Sequence, residues 1–275
     1  MALNFDGSDG APVALHDLGG RGRTALFVHA TGFHGHVWAP VAALLGDRLA
    51  AWAVDLRGHG DSPAATRPTE WAGFGRDVVT ATRRLGRPLL GVGHSLGAAA
   101  LLMAELAEPG TFDELVLYEP ALPTPGGVDA EAQAVLVART RNRRATFASR
   151  DEAKANFAAK PPTSALAADV LRQYVEHGFV EDAGTGTLTI KCAPDREAAI
   201  YAAAGGSALW AQLRPLTCRV TLVGGTGSGE LHERSNAHAA ERLGVPVTTL
   251  AGIGHFGPME SPRVFADLVR RLLDG

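Results

Sequence analysis

A serine flanked by glycines stands in Leu89-Leu90-Gly91-Val92-Gly93-His94-Ser95-Leu96-Gly97, and Ala98-Ala99-Ala100 follows it. Read locally, this is an apolar strand, a tight turn on the serine and a helix opened by small residues, the pattern of a nucleophile elbow. Glycine is needed on both flanks because a Cβ there would meet neighbouring backbone as the hydroxyl is thrust up at the helix start. A serine hydroxyl is a weak nucleophile until a base takes its proton, so Ser95 calls for a histidine farther along the chain. His255 meets that demand, in the glycine-rich stretch Gly252-Ile253-Gly254-His255-Phe256-Gly257-Pro258-Met259-Glu260-Ser261-Pro262. Such a pair performs acyl transfer, which also needs N–H donors where the oxyanion develops. Leu96 offers one directly after the serine. The run Leu26-Phe27-Val28-His29 into Ala30-Thr31-Gly32-Phe33 offers a second, with Thr31 N–H the best placed. Phe33, Trp38, Trp210 and Phe256 are candidates to line an apolar acyl pocket, and His94 fills the variable position of the elbow.

The elements that must position these residues alternate. Strands are expected at Thr24–Val28, Ala51–Val54, Leu89–Val92, Leu115–Tyr118, Arg219–Val223 and Val247–Leu250, several of them continuous apolar runs of the kind covered on both faces. Helices are expected at Trp71–Leu85, Leu96–Ala107, Leu231–Leu243 and Pro262–Leu273, the last with Ser261 as N-cap and Pro262 at the first helical position. The βα alternation predicts an α/β fold on a mostly parallel sheet flanked by helices. It breaks once: between Pro120 and Pro215 the strand signals stop and the chain becomes helical and charged. The predicted organisation is therefore a core of residues 1–120 and 214–275 with a helical lid inserted at 121–213, hinged near Gly126-Gly127 and Pro161-Pro162.

Composition narrows the function classes. The chain has 275 residues, 46% of them hydrophobic, enough for one large core. Twenty-six basic side chains against 29 acidic ones give a net charge of -3, so no global field favours nucleic acid or anionic lipid. The start Met1-Ala2-Leu3-Asn4-Phe5-Asp6-Gly7 lacks a secretory h-region, and the apolar run Ala98–Ala104 is too short for a bilayer, so a cytoplasmic location is expected. Cys192 and Cys218 form no disulfide framework and read as structural. His29, His34, His36, His59 and His94 fall near strand ends, where a metal could sit, but their spacing follows no ligand pattern. Arg139, Arg141, Arg143, Arg144 and Arg150 crowd the first half of the lid; a solvated face is the simpler reading, and a pocket for a carboxylate-bearing or phosphorylated substrate the sharper one.

His29-Ala30-Thr31-Gly32, Asp55-Leu56-Arg57-Gly58-His59-Gly60-Asp61-Ser62, Gly93-His94-Ser95-Leu96-Gly97 and Gly254-His255-Phe256 occur in the order of the lidded α/β-hydrolase superfamily, which the chain resembles throughout outside the lid. The resemblance implies that the Asp55 to Ser62 run shapes the floor of the site, with Asp55 and Arg57 structural. The family usually carries His-Gly where this chain has His29-Ala30. It also places an aspartate after the seventh strand, where this chain reads Val223-Gly224-Gly225-Thr226-Gly227-Ser228-Gly229 and has no carboxylate before Glu230. Some branches carry the acid after the sixth strand, and here that strand ends Tyr118-Glu119-Pro120. Glu119 is accordingly the expected acid, with Glu230 as the alternative. A carboxylate there is costly to bury without a partner such as an imidazole N–H.

The reading implied is a serine hydrolase cleaving an ester, thioester or lactone of a small organic molecule through Ser95, His255 and Glu119, with no metal or organic cofactor. A carbon-carbon bond hydrolase with the same triad is the nearest alternative. A ligand-binding member without turnover is the alternative from another class. Ser95 argues against dehalogenase and epoxide hydrolase chemistry, both of which use a carboxylate nucleophile.

Overall fold

The computed structural model of the chain describes residues 2–7, 10, 12–63, 70–87, 89–122 and 130–275. Its main sheet takes β1 (Ala2–Asp6), β2 (Pro12–Gly20), β3 (Arg23–Val28), β4 (Leu49–Val54), β5 (Leu89–His94) and β6 (Glu114–Tyr118) from the first part of the chain. A separate small sheet holds β7 (Thr146–Phe147), β8 (Phe179–Glu181) and β9 (Leu188–Ile190); β10 (Arg219–Gly225) and β11 (Val247–Leu250) complete the main one. The main order is β1-β2-β4-β3-β5-β6-β10-β11. It is antiparallel at β1/β2 and β2/β4 and parallel from β4 to β11.

Helices α1 (Ala39–Leu44), α2 (Trp71–Leu85) and α3 (Leu96–Ala107) connect the parallel strands from β3 to β6. The segment between β6 and β10 carries α4 (Ala130–Arg141), α5 (Arg150–Ala158), α6 (Ala168–His177), α7 (Pro194–Ala203) and α8 (Leu209–Gln212). α9 (Glu230–Leu243) joins β10 to β11, and α10 (Gly257–Glu260) and α11 (Pro262–Asp274) end the chain.

Apolar runs become central strands because successive side chains feed two different cores. On β3, Ala25 and Phe27 pack with Trp38, Val41 and Phe265 on one face, whereas Leu26 and Val28 pack with Phe74, Val78 and Leu101 on the other. β6 divides in the same way, Val116 and Tyr118 against Leu115 and Leu117. α11 buries Phe265, Ala266, Leu268 and Val269, a helical stripe whose larger members stabilise the fold by about 1.5–3 kcal/mol each. Ser261 precedes this helix as expected, but its side chain makes no capping hydrogen bond, and Pro262 at the first position is the feature that starts it.

Two departures from the sequence reading are local. The strands β1 and β2 were not expected: β2 ends in Leu18-Gly19-Gly20, which reads as a turn, and both glycines have positive φ. The segment after β6 was expected to lack strands, yet it contains β7, β8 and β9 of two or three residues, too short to show a period. Gly126 and Gly127 lie outside the described residues, and Pro161 and Pro162 sit exposed between α5 and α6. The inserted segment shares its core with the main sheet: Phe147, Phe157, Tyr174 and Phe179 belong to the same buried cluster as Phe27 and Phe33. Ala167 N–H donates to Met259 O of α10 at 2.9 Å, so the insertion also touches the turn that follows His255.

Candidate active site

Ser95 lies between β5 and α3 with φ 52° and ψ -113°, a conformation that a side chain adopts only where its surroundings impose it. Its N–H donates to Tyr118 O at 3.0 Å, which ties the turn to the neighbouring strand β6. The glycines act as expected. A Cβ on Gly93 would stand 2.7 Å from the Ala98 backbone, and one on Gly97 would collide with the Val28 carbonyl. Leu96 is the first residue of α3, where a helix leaves N–H groups without intrahelical acceptors. Thr31 is buried in the loop after β3, beside Gly32 with φ 79°.

Glu119 is the other non-glycine residue of positive φ among the described residues, at 42°. Its N–H donates to Val223 O, its Oε2 lies 2.7 Å from His255 Nδ1, and its Oε1 accepts from Gly225 N–H at 2.8 Å and Ser228 Oγ at 2.5 Å. Burial pushes this carboxyl up, but the hydrogen bonds from His255, Gly225 and Ser228 outweigh that and hold it below the usual glutamate value. Glu230 does not reach the imidazole: it opens α9, its side chain 79% exposed, and pairs with Arg234. Of the two carboxylates considered from sequence, Glu119 is the one joined to the imidazole.

The loop bearing His255 is fixed on several sides. Tyr118 Oη donates to Gly254 O at 2.5 Å, Gly227 N–H donates to Ile253 O at 2.8 Å, and the Glu260 carboxylate accepts from Gly254 N–H and Phe256 N–H. His232 of α9 stacks on His255 with centroids 4.0 Å apart and planes at 19°. Burial, and then the neighbouring His255, lower its pKa to about 4. Tyr118, Ser228, His232 and Glu260 were not singled out from the sequence. A hydroxyl or imidazole in a loop or helix carries no signal of its partner until the fold is known. Ser95 Oγ makes no hydrogen bond among the described residues; nucleophile–base bonds of free enzymes commonly tighten only with substrate.

Of the five pocket candidates, three gather at the imidazole. His94 and Phe256 have ring centroids 5.0 and 5.1 Å from that of His255, and Phe33 lies 5.6 Å from Phe256. Tyr174 of α6 extends this aromatic wall at 5.4 Å from Phe33. Trp38 and Trp210 do not join it. Trp38 is fully buried between Phe27 and Phe265, and Trp210 packs beneath Arg242 and beside His238 of α9. Aromatic type alone did not distinguish core from pocket.

The remaining motifs are structural. Asp55 accepts from His16 Nε2 at 2.7 Å, Gly35 N–H at 2.6 Å and Asp61 N–H at 2.7 Å, while Arg57 grips Asp77 with Nε and Nη2 at 2.7 and 2.6 Å. His29 spans Ala30 O and Leu56 N–H. None of His29, His34, His36, His59 and His94 belongs to a converging set of metal-binding atoms among the described residues. In the insertion, Arg141, Arg144 and Arg150 pair with Asp195, Glu152 and Glu181 at exposed positions. Arg143 differs. Its Nη2 lies 2.6 Å from Oε2 of the buried Glu197, out of line for a hydrogen bond, and Glu197 packs against Gly32 in the loop beside Thr31. Burial raises the Glu197 pKa despite this neighbour.

Comparison with known proteins places the fold. Over 260 residues the chain is 28% identical to 2-(acetamidomethylene)succinate hydrolase of Mesorhizobium japonicum, covering 93% of this chain and 89% of that one. It is 33% identical to pimeloyl-[acyl-carrier protein] methyl ester esterase of Methylococcus capsulatus over 101 residues, 37% of this chain and 38% of that one. The solved structure of an E-2-(acetamidomethylene)succinate hydrolase superposes with a TM-score of 0.85 at 25% identity, covering 100% of this chain and 99% of the other. The thioesterase domain from the curacin biosynthetic pathway superposes with a TM-score of 0.78 at 21% identity, covering 98% and 99%. Residues 25–268 match the alpha/beta hydrolase family, and the chain belongs to it.

Proposed function

We propose that the protein is a serine hydrolase of small carboxylic esters and related acyl compounds. The observation that carries this reading is the 2.7 Å hydrogen bond between Glu119 and His255, whose ring lies 5.0 Å from that of His94, the residue before the strained serine. Ser95 Oγ attacks the substrate carbonyl while His255 Nε2 takes its proton. Glu119 accepts the Nδ1–H, so it fixes the tautomer that leaves Nε2 free and stabilises the imidazolium that forms. The N–H groups of Leu96 and Thr31 receive the oxyanion. The imidazolium then protonates the leaving group, and water, deprotonated by the same histidine, releases the acyl group from Ser95. Phe33, His94 and Phe256 border the acyl group, and the insertion closes over it as a lid.

A second reading concerns the substrate's polar end. A relative that matches nearly the whole chain is named for a succinate derivative, and Arg143 of the insertion's cluster lies against Glu197, which packs on Gly32 in the loop beside Thr31. This supports a carboxylate-bearing acyl substrate over a plain aliphatic ester. The test compares wild type with Ser95→Ala on p-nitrophenyl esters from acetate to dodecanoate and on 2-(acetamidomethylene)succinate. Ester turnover that is lost in Ser95→Ala is the expected result. Turnover confined to the dicarboxylate would favour the second reading, and ester turnover that survives in Ser95→Ala would end the serine mechanism.

A further inference from the structure

Metal-binding atoms converge in two places among the described residues, at His16, Asp55 and Asp61 and at Glu119, His232 and His255. The first set is already satisfied: Asp55 accepts from His16, Gly35 and Asp61, and Asp61 is paired with the Lys191 ammonium, which a bound cation would have to displace. The second set has no such occupant. The ion-pair partners of Glu119 are the two histidines themselves.

Its spacing suits a small tetrahedral ion. Glu119 Oε2 lies 2.7 Å from His255 Nδ1 and 3.7 Å from His232 Nδ1, and donor atoms of all three fall within 4.8 Å of one another. Zinc bonded at about 2.0–2.1 Å sets its ligands roughly 3.3 Å apart, between those two separations. The stacked rings need only turn about their side-chain bonds to point both nitrogens at one centre. The His255 and His232 side chains are 21% and 34% exposed, which leaves the ion a path from solvent and room for a water as fourth ligand. Glu119 Oε1 is held by Gly225 N–H and Ser228 Oγ, the kind of outer support that orients a ligating carboxylate. Two imidazoles and one carboxylate suit zinc, copper or nickel, not magnesium or calcium.

We infer that Glu119, His232 and His255 form a site for Zn2+, or a similar imidazole-seeking divalent ion, and that its occupation switches the serine chemistry off. In the metal-free protein His255 carries its proton on Nδ1, leaving the Nε2 lone pair for the Ser95 proton. A metal on Nδ1 takes that nitrogen's lone pair, so the neutral ring must carry its proton on Nε2. The ring changes tautomer with no net release of protons, and Nε2–H cannot accept from serine. Inhibition rests on His255 being the base, as in the reading above; binding does not.

The test titrates ZnCl2 into the full chain by calorimetry, in a buffer that does not chelate zinc, and follows p-nitrophenyl ester turnover in parallel. His232→Ala and His232→Gln are treated identically, each rate normalised to that variant's own metal-free rate. One zinc per wild-type chain is expected, with turnover falling as the site fills and returning on addition of EDTA. MgCl2 at the same concentration is expected to do neither. Both variants are expected to bind zinc roughly tenfold or more weakly, with inhibition shifted by the same factor. Binding that is unchanged in both variants overturns the site, and stoichiometric binding through His232 without loss of turnover overturns the switch. If no ester is turned over, the ester reading fails, while the calorimetric comparison of wild type with the variants still decides the site.

Discussion

Ser95 and Glu119 hold left-handed φ values of 52° and 42° without being glycine, at a cost of order 1–3 kcal/mol each. For Glu119 the cost is sustained by bonds on every side: its N–H to Val223, one carboxylate oxygen to Gly225 and Ser228, the other to His255. Glu119→Gln keeps the shape but supplies an amide that cannot serve as an acceptor to both loops and offers no charge to the imidazolium. We expect kcat to fall on the order of 10²–10⁴-fold with KM little changed, and Glu230→Gln to stay within about twofold of wild type in steady-state ester kinetics. The reverse ranking would move the acid to α9. At this scale the sequence led to Ser95, His255 and Glu119, because each stands in a glycine-rich turn or at the end of an apolar strand, and the structure joins the last two by a hydrogen bond. The sequence did not show Ser228, Tyr118, His232 or Glu260, whose roles come only from the approach of β10, α9 and the His255 loop to β6.

Central strands and crossover helices were legible because both carry a strong period or an unbroken apolar run; Trp71–Leu85 and Leu96–Ala107 match their expected bounds residue for residue. The first two strands and the small strands of the insertion were not, since β2 buries four residues in succession without alternation and ends in two glycines, and β7 to β9 are shorter than any period. The seam between β3, β5 and α3 is where an element's packing sets the chemistry. A Cβ on Gly97 meets the carbonyls of Val28 and His29, which lead into the loop of Thr31, so Gly97→Ala must push α3 and that loop apart. The expected result is a loss of about 1–3 kcal/mol in urea unfolding, together with a larger proportional fall in kcat than the stability loss explains. A variant as stable and active as wild type would show that the seam yields freely and that the oxyanion donors are not placed by it.

Across the molecule, burial holds several histidines neutral inside the fold. His29, His34, His59 and His94 are fully enclosed, and burial is the largest cause lowering each; His34 and His59 are brought to about 3, and the partly buried His36 to about 4. They brace the backbone: His29 links Ala30 to Leu56, and His34 reaches Tyr174 O of the insertion. Above pH 6.5 these rings are neutral in both the folded and unfolded chain and do not tilt the balance. As pH falls below 6.5 the unfolded chain takes up protons that the folded one refuses, and each ring then costs up to about 1.4 kcal/mol per pH unit until its folded value is reached. Asp55 acts in a lower window. Burial pushes its carboxyl up, but its bond to His16 and the neighbouring imidazoles hold it well below the usual aspartate value, so its contribution is intact above pH 3.8 and fades only under more acid conditions. Loss of stability between pH 6.5 and 4.5 is therefore assigned to the histidines. Urea midpoints measured at half-unit steps across that range are expected to fall steeply, with a slope equivalent to two or more protons bound on unfolding. His59→Gln, which removes one such ring, is expected to flatten the slope by about one proton. A flat profile would mean that these rings accept protons in place; a steep one requires every acid-limb rate to be read beside the folded fraction at the same pH.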